Sequence, residues 1–237
     1  MSQKKNSIIL CTYNEDSYIK KTIEQLVQNI ESLELIIVDD DSGDNTRKII
    51  QELNLNNKIK LIHRKKTRGL ASAFHTGLMK CSGEYIGWID TNMTELVIKF
   101  KEMNELLKSG QDIIILSRYV SGGGDERNLL RYITSKYFNI VCSYILGRNI
   151  KDYTSGIFLM KKEVLNEINF LPYGHGEFFI EFLENANRKG FFIKEIPYIQ
   201  MKDDNLNLSK TAGNLLKFFY LGFNYILRIF VIIIRRN

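Results

Sequence analysis

Four short apolar runs, each breaking off in polar or acidic residues, constrain the fold of this chain most tightly. They occupy residues 7–11, 33–38, 59–62 and 84–89. Between the first two, Ile19, Ile23, Leu26, Val27 and Ile30 recur at helical spacing, and Ile49, Ile50 and Leu53 do the same after the second. A helix rich in small residues (Ala71, Ser72, Ala73, Gly77) precedes the fourth. Unbroken apolar runs of this length read as strands covered on both faces, and amphipathic helices between them read as crossovers. The alternation therefore predicts an α/β fold with a mostly parallel central sheet and helices on both faces.

In such sheets, ligands meet the chain beyond the carboxyl ends of the strands. The residues following each run are then the candidates for chemistry. Thr12-Tyr13-Asn14-Glu15 follows the first run, Asp39-Asp40-Asp41 the second and Asp90-Thr91-Asn92 the fourth. A carboxylate with an oxygen ligand two residues on can hold a divalent cation against a diphosphate. The alternative for Asp90 is a plain strand end running into a turn, and for Asp39–Asp41 a solvated cap loop in which Asp44 or Thr46 starts the next helix.

Composition narrows the partners only partly. With 33 Lys+Arg against 27 Asp+Glu the net charge is +6, which suits an anionic ligand, a membrane surface or nucleic acid. Nucleic acid is poorly supported, because basic residues cluster only at Arg64-Lys65-Lys66 and the C-terminal pair. Three dispersed cysteines form no CxxC pair, which argues against a zinc site. No GxGxxG follows the first strand and no GxxxxGK[ST] occurs, so dinucleotide-binding and P-loop folds are set aside.

The second half predicts a helix over 94–108, a strand over 112–116 ending in Ser117-Arg118-Tyr119, and a flexible glycine loop at 122–124. A helix over 128–146, a strand reaching Met160, a helix over 177–189 and a strand over 191–199 follow. The last stretch is mostly Leu, Ile, Phe and Tyr. At roughly 100° per residue, Lys210, Lys217, Asn224, Arg228 and Arg235 align on one side of a helix. A helix in the membrane interface keeps such a stripe in water or against lipid phosphates. Docking on the domain or on a partner, or a true membrane span, are the alternatives. The chain is accordingly divided into a domain over 1–205 and a membrane-associating helix over 206–237.

Together these motifs resemble the family 2 glycosyltransferases of GT-A fold, and within them the dolichyl-phosphate (polyprenyl-phosphate) mannose synthases. The resemblance rests on Thr12-Tyr13-Asn14-Glu15, Val38-Asp39-Asp40 with Ser42 and Thr46, Arg68-Gly69-Leu70 with Gly77, and Gly83-Glu84-Tyr85 leading to Asp90. It continues through Ser117-Arg118-Tyr119, Asp152 with Thr154-Ser155-Gly156, Glu181 and Ser209-Lys210. It implies a nucleotide site at Cys11, Tyr13, Glu15, Val38, Asp40, Asp90, Thr91 and Asn92. It also implies an Mg²⁺ or Mn²⁺ ion on Asp90 and Asn92, and contacts from Arg118, Arg131, Ser135 and Lys210 to the acceptor phosphate or donor diphosphate. Asp90 and Arg118 are the implied catalytic residues.

Three departures stand out. Asn92 replaces a carboxylate, Asp204 and Asn207 replace an arginine and a glycine, and Glu177 stands where the branch often has lysine. The leading reading is an inverting glycosyltransferase moving mannose from GDP-mannose onto a polyprenyl phosphate at the cytoplasmic face of a membrane, peripheral or monotopic, with a separate membrane anchor subunit as a further partner. A UDP-sugar donor or another acceptor is the second reading. A non-catalytic, membrane-docked binding subunit is the third.

Overall fold

The computed structural model describes residues 5–53, 55, 57–147, 149–202 and 215–236. Ser209, Lys210, Asp204 and Asn207 lie outside the described residues. The expected alternation opens the chain: β1 (Asn6–Thr12), α1 (Ile19–Asn29), β2 (Leu33–Asp39), α2 (Thr46–Glu52), β3 (Ile59–His63), α3 (Leu70–Leu78) and β4 (Tyr85–Trp88). There follow α4 (Lys99–Lys108), β5 (Ile113–Ser117), β6 (Gly124–Asp125), α5 (Leu129–Leu146), β7 (Phe158–Lys161), α6 (Phe178–Arg188), β8 (Ile193–Pro197), β9 (Ile199–Gln200) and α7 (Leu215–Arg236).

Seven strands form one sheet in the order β3-β2-β1-β4-β7-β5-β8, and β6 pairs with β9 in a small second sheet. All pairings in the large sheet are parallel except those of β7, which runs antiparallel to β4 and β5. Phe158, at the start of β7, lies beside Trp88 near the end of β4. The inverted strand thus brings the 152–157 segment to the same sheet end as Asp90 and Arg118.

Side chains alternate along each strand, and the two faces build two cores. Ile9, Ile36, Val38, Trp88 and Ile115 pack against α3, α5, α6 and α7. Ile8, Leu10, Leu35, Ile37 and Ile114 pack against α1, α2 and α4. This is why the runs are apolar throughout rather than alternating.

Three expectations need correction. The helix over 94–108 starts as a 3₁₀ turn, Thr94–Ile98, and becomes α-helical only from Lys99. The 122–124 glycine run is not wholly loop, because Gly124 joins β6 and pairs with Ile199. Two residues of the tail's cationic stripe meet the domain itself, the alternative to the expected water or lipid phosphates. Arg228 and Arg235 of α7 turn onto α6 and reach Glu181 at 2.9 and 2.7 Å. A buried carboxylate opposite the stripe attracts it more strongly than solvent does; the Arg228 side chain is 16% exposed, although that of Arg235 remains 62% exposed.

At the opposite end of the strands from Asp40 and Asp90, Glu34 is buried at the start of β2. It accepts from the Ser7 hydroxyl, from Ser82 N and Oγ at 2.8 Å each, and from Lys60 Nζ at 2.6 Å. Burial alone would raise its pKa, but these donors outweigh it and hold it well below its ordinary 4.5. The stability that Glu34 contributes is therefore complete above about pH 4.5 and is lost as pH falls toward its folded pKa. Glu34→Gln is expected to flatten the acid limb of a urea-unfolding profile taken from pH 8 to pH 3, with little change in its slope above pH 6.

Candidate active site

The loops after β1 and β2 interlock, and the acidic and hydroxyl residues of the sequence are the fasteners. Asn14 N donates to Ser42 Oγ at 2.9 Å, and Gly43 N donates back to Asn14 Oδ1 at 2.8 Å. Glu15 N donates to Thr46 Oγ1 at 2.8 Å, and Asp16 N to Asp44 at 3.1 Å. Asp44 also accepts Thr46 N at 3.0 Å, satisfying a donor at the start of α2.

The three aspartates after β2 have separate places. Asp39 is fully buried and accepts Thr12 Oγ1 at 3.1 Å, Ser42 N at 3.1 Å and the Ser42 hydroxyl. Asp41 turns outward to His63 Nε2 at 2.7 Å. Asp40 borders the cavity. Arg64 Nε donates to its Oδ1 at 2.6 Å and Gly69 N to its Oδ2 at 2.9 Å. Arg64 also reaches Ser72 Oγ and the Gly69 carbonyl, at 3.1 and 3.2 Å. A carboxylate offers about four acceptor positions, so Asp40 is fixed in orientation and retains acceptor capacity toward the cavity.

That cavity measures about 910 Å³ and opens at the carboxyl ends of β1, β2 and β4. Cys11, Tyr13, Glu15, Asp40, Asp90, Thr91 and Asn92 all border it. Val38 does not; its side chain is fully buried in the core and its carbonyl accepts Thr12 Oγ1 at 3.5 Å. The Arg68 guanidinium lies 4.5 Å over the Tyr13 ring and donates to its hydroxyl at 2.9 Å. Burial, then the charges of Asp90 and Asp40, push the Cys11 thiol far up despite Arg64, so it stays protonated.

Asp90 and Asn92 are exposed to the cavity, while Thr91 between them is buried. Met93 N closes a turn onto the Asp90 carbonyl at 3.1 Å. From α1, the buried Thr22 hydroxyl donates to the Thr91 carbonyl and lies 2.6 Å from Thr94 Oγ1. Among the described residues no three His, Cys, Asp or Glu side chains converge as a metal cage. A cation would instead draw on Asp90, the Asn92 amide oxygen and phosphate oxygens of the ligand. That donor set fits Mg²⁺, which keeps several waters and takes one or two carboxylates plus substrate phosphates.

Of the second group of nominated residues, Arg118, Arg131 and Ser135 do not border the cavity, and Lys210 lies outside the described residues. Arg118 is 5% exposed and does not border the cavity. It grips Asp152 with two side-chain bonds, Nε at 2.8 Å and Nη2 at 2.7 Å, and Nη2 also donates to Thr154 Oγ1 at 2.7 Å. Its Nη1 points toward Asp125 at 3.7 Å. Ser135 of α5 accepts the Tyr119 hydroxyl at 2.8 Å, and the Arg131 backbone N–H is held by the capping Asn128 at 3.0 Å. Arg118 and Ser135 are therefore near each other through Tyr119, but apart from the Asp40–Asp90 group.

Arg68, Lys99, His175, Tyr198 and Gln200 also border the cavity. Lys99, Tyr198 and Gln200 gave no signal in the sequence. Arg68 did, through its place in Arg68-Gly69. The departure at Glu177 has a local cause: its Oε2 accepts His175 N at 2.9 Å and Gly176 N at 3.1 Å, closing the turn that carries His175 to the cavity.

The family model described as "Glycosyl transferase family 2" matches residues 7–169. The chain belongs to glycosyl transferase family 2. This member is 32% identical over 226 residues to the dolichol-phosphate mannosyltransferase of Pyrococcus furiosus, covering 91% of the chain and 63% of that relative. The chain thus spans less than two thirds of that relative's length. It is 27% identical to the polyprenol monophosphomannose synthase of Mycolicibacterium smegmatis, over 87% of the chain and 81% of the relative. In fold, this family 2 chain is similar to glucosyl-3-phosphoglycerate synthase of Mycobacterium tuberculosis solved with UDP. The TM-score is 0.74 at 17% identity, covering 98% of this chain and 80% of that one. The same enzyme, solved with Mn²⁺, UDP and glucosyl-3-phosphoglycerate, superposes with a TM-score of 0.73 at 16% identity, over 98% of this chain and 80% of that one. The GT-A fold with a C-terminal helix is thereby established.

Proposed function

We propose that this chain is an inverting hexosyltransferase that moves mannose from GDP-mannose to a polyprenyl (dolichyl) phosphate. One observation carries the reading. In a family 2 chain, Tyr13, Asp40, Asp90 and Asn92 line one cavity of about 910 Å³, which brings an aromatic ring and a base-accepting carboxylate together with the Asp90-Thr91-Asn92 turn around a volume that suits a nucleoside diphosphate sugar. The names of the Pyrococcus and Mycolicibacterium relatives support the mannose and the lipid phosphate. Mycobacterium tuberculosis glucosyl-3-phosphoglycerate synthase solved with Mn²⁺ or Mg²⁺ supports a divalent cation.

In this reading Tyr13 stacks the base and Asp40, oriented by Arg64 and Gly69, accepts its N–H groups. Asp90 and Asn92 hold the diphosphate end. A bound Mg²⁺ or Mn²⁺ ion would supply charge neutralisation of the leaving diphosphate. An anionic oxygen of the acceptor phosphate attacks the anomeric carbon. The new C–O bond forms as the bond to the donor's β-phosphate oxygen breaks, and the nucleoside diphosphate departs with the electron pair. Because the acceptor is already ionised, the chain has to orient rather than deprotonate it. Arg131, Ser135 and Lys210 are assigned to the acceptor side.

The membrane surface is the third partner, with residues 206–237 as the associating segment. Among the described residues no helix is long and apolar enough to cross a membrane. Phe223, Phe230 and Ile234 of α7 nevertheless face outward, as do Leu129, Tyr137 and Tyr144 of α5. Such exposed apolar faces suit the lipid interface or a membrane anchor subunit.

The test is release of nucleoside diphosphate by detergent-purified protein. GDP-mannose or UDP-glucose is supplied with Mn²⁺ or Mg²⁺, with and without a short polyprenyl phosphate. Release from GDP-mannose that requires the lipid is the expected result. Release from UDP-glucose instead would move the donor, since a single carboxylate accepts N–H groups from guanine and uracil alike. No release from either donor, by protein that still binds nucleotide, would favour the binding-subunit reading.

A further inference from the structure

The tail helix reaches the cavity through one side chain. α7 is fastened to α6 by the Glu181 pairs with Arg228 and Arg235, and between those arginines Ile229 and Ile232 are buried in the core. One turn before Ile229 and on the same helix face, Tyr225 continues this seam toward α5. Its ring meets Phe138 of α5 edge-on, with centroids 5.7 Å apart and planes at 80°. Its hydroxyl lies against Gly176, so close that a Cβ there would come within 2.3 Å of it. Burial pushes the Tyr225 hydroxyl up, Glu177 and Asp90 push the same way against Arg118, and the group stays protonated.

The segment under Tyr225 is a narrow turn. Gly174 has φ +94° and Glu177 folds back over it, accepting both His175 N and Gly176 N. A side chain at Gly174 or Gly176 would strike Glu177 or Tyr225. His175, between the two glycines, borders the cavity that also holds Asp90. The turn is held from inside by Glu177 and from outside by Tyr225.

We infer that Tyr225 is a positioning residue for the donor site: docking of α7 seats its side chain on the Gly174–Glu177 turn and thereby sets His175 against the bound nucleotide sugar. This rests on the reading of the cavity as a nucleotide-sugar site. It gives the tail helix a part in donor binding that neither its apolar surface nor its arginine stripe expresses. It also explains why the arginines face the protein: they fix the register of α7 over the turn.

The test titrates GDP and GDP-mannose, with Mn²⁺, into detergent-purified full-length protein. Fluorescence of Trp88, the only tryptophan, provides the readout. The variants are Tyr225→Ala, Tyr225→Phe and Ile232→Ala, the last loosening the α7 seam without touching the turn. Because pre-organisation of a site is recovered as affinity, Tyr225→Ala is expected to weaken GDP-mannose binding about tenfold. Tyr225→Phe should recover most of that loss, and Ile232→Ala should leave binding near that of the unaltered protein despite a lower unfolding midpoint. Unchanged affinity in Tyr225→Ala, or an equal loss in Ile232→Ala, would overturn the inference and leave α7 as a stabilising element only. Failure of the unaltered protein to bind GDP or GDP-mannose would overturn the cavity reading itself, and is read from a different sample.

Discussion

Asp90→Ala is expected to lower sugar transfer about a thousandfold while leaving the unfolding midpoint nearly unchanged. The two halves of this expectation have separate grounds. Asp90 is exposed at the end of β4, and the turn it begins is held by the Met93 N–H on the Asp90 backbone carbonyl and by the Thr22 hydroxyl on the Thr91 carbonyl. Surface substitutions of that kind shift stability by about 0.5 kcal/mol or less. The activity loss follows from charge. As the diphosphate leaves, negative charge grows on its oxygens, and Asp90 is the carboxylate of the Asp90-Thr91-Asn92 turn available to hold a compensating cation. Losing one preorganised electrostatic partner of a transition state costs on the order of 10²–10³ in rate, and losing a cation's anchor lies at the upper end. The measurement is kcat/KM for GDP-mannose with a short polyprenyl phosphate across a Mn²⁺ titration. Transfer by Asp90→Ala at the rate of the unaltered protein would remove Asp90 from the site. Asn92→Asp should act in the opposite sense and lower the Mn²⁺ concentration at half activity, because a second carboxylate adds charge to the same two positions.

What the sequence revealed and what it hid divide along a physical line. Apolar periodicity reports which face of an element is covered, so the strands and helices around Asp40 and Asp90 were legible, as was the cavity position of Tyr13 and Glu15. Periodicity does not report which neighbour covers a face. The insertion of β7 antiparallel between β4 and β5 was therefore invisible, although it brings Asp152 to the site end. The same limit applies to charge. Arg228 and Arg235 aligned as a stripe, but their partner Glu181 lies 47 and 54 residues away. Arg64 read as part of a basic triplet until Asp40, 24 residues earlier, was found to receive it. The family resemblance located Arg118 at a strand end, and the local pattern gave no sign that Asp152 and Thr154 would enclose it. Residues whose role is set by a strand end were readable; residues whose role is set by a distant opposite charge were not.

Arg118 gives the second large effect, and here the expected loss is of stability. Its guanidinium joins three segments: the end of β5, the segment before β7 through Asp152 and Thr154, and β6 through Asp125. Burial alone would lower its proton affinity, but the charge and hydrogen bonds of Asp152 raise it, so the group is charged at any ordinary pH. Arg118→Ala would strand the fully buried Asp152 carboxylate, and breaking one side of such a pair costs about 3–5 kcal/mol. Asp125 would be affected less, because Arg127 holds it at 2.6 and 2.8 Å. Asp152→Ala should cost a similar amount, with the Arg118 backbone N–H left unpaired as well. The double variant Arg118→Met/Asp152→Leu should lose much less than the two single losses combined, since neither buried charge then remains. Urea unfolding of the four proteins measures this directly. The same series separates a clamp from a phosphate ligand. Nε and Nη2 are committed to Asp152 and Thr154, so a phosphate would have to approach Nη1 on the Asp125 side. If Arg118→Ala unfolds like the unaltered protein yet loses transfer, the guanidinium acts on the ligand and the clamp is incidental. If stability falls as expected, Arg118 serves the reaction by holding the β5 end and, through the Ser117 carbonyl, the Tyr198 wall of the cavity.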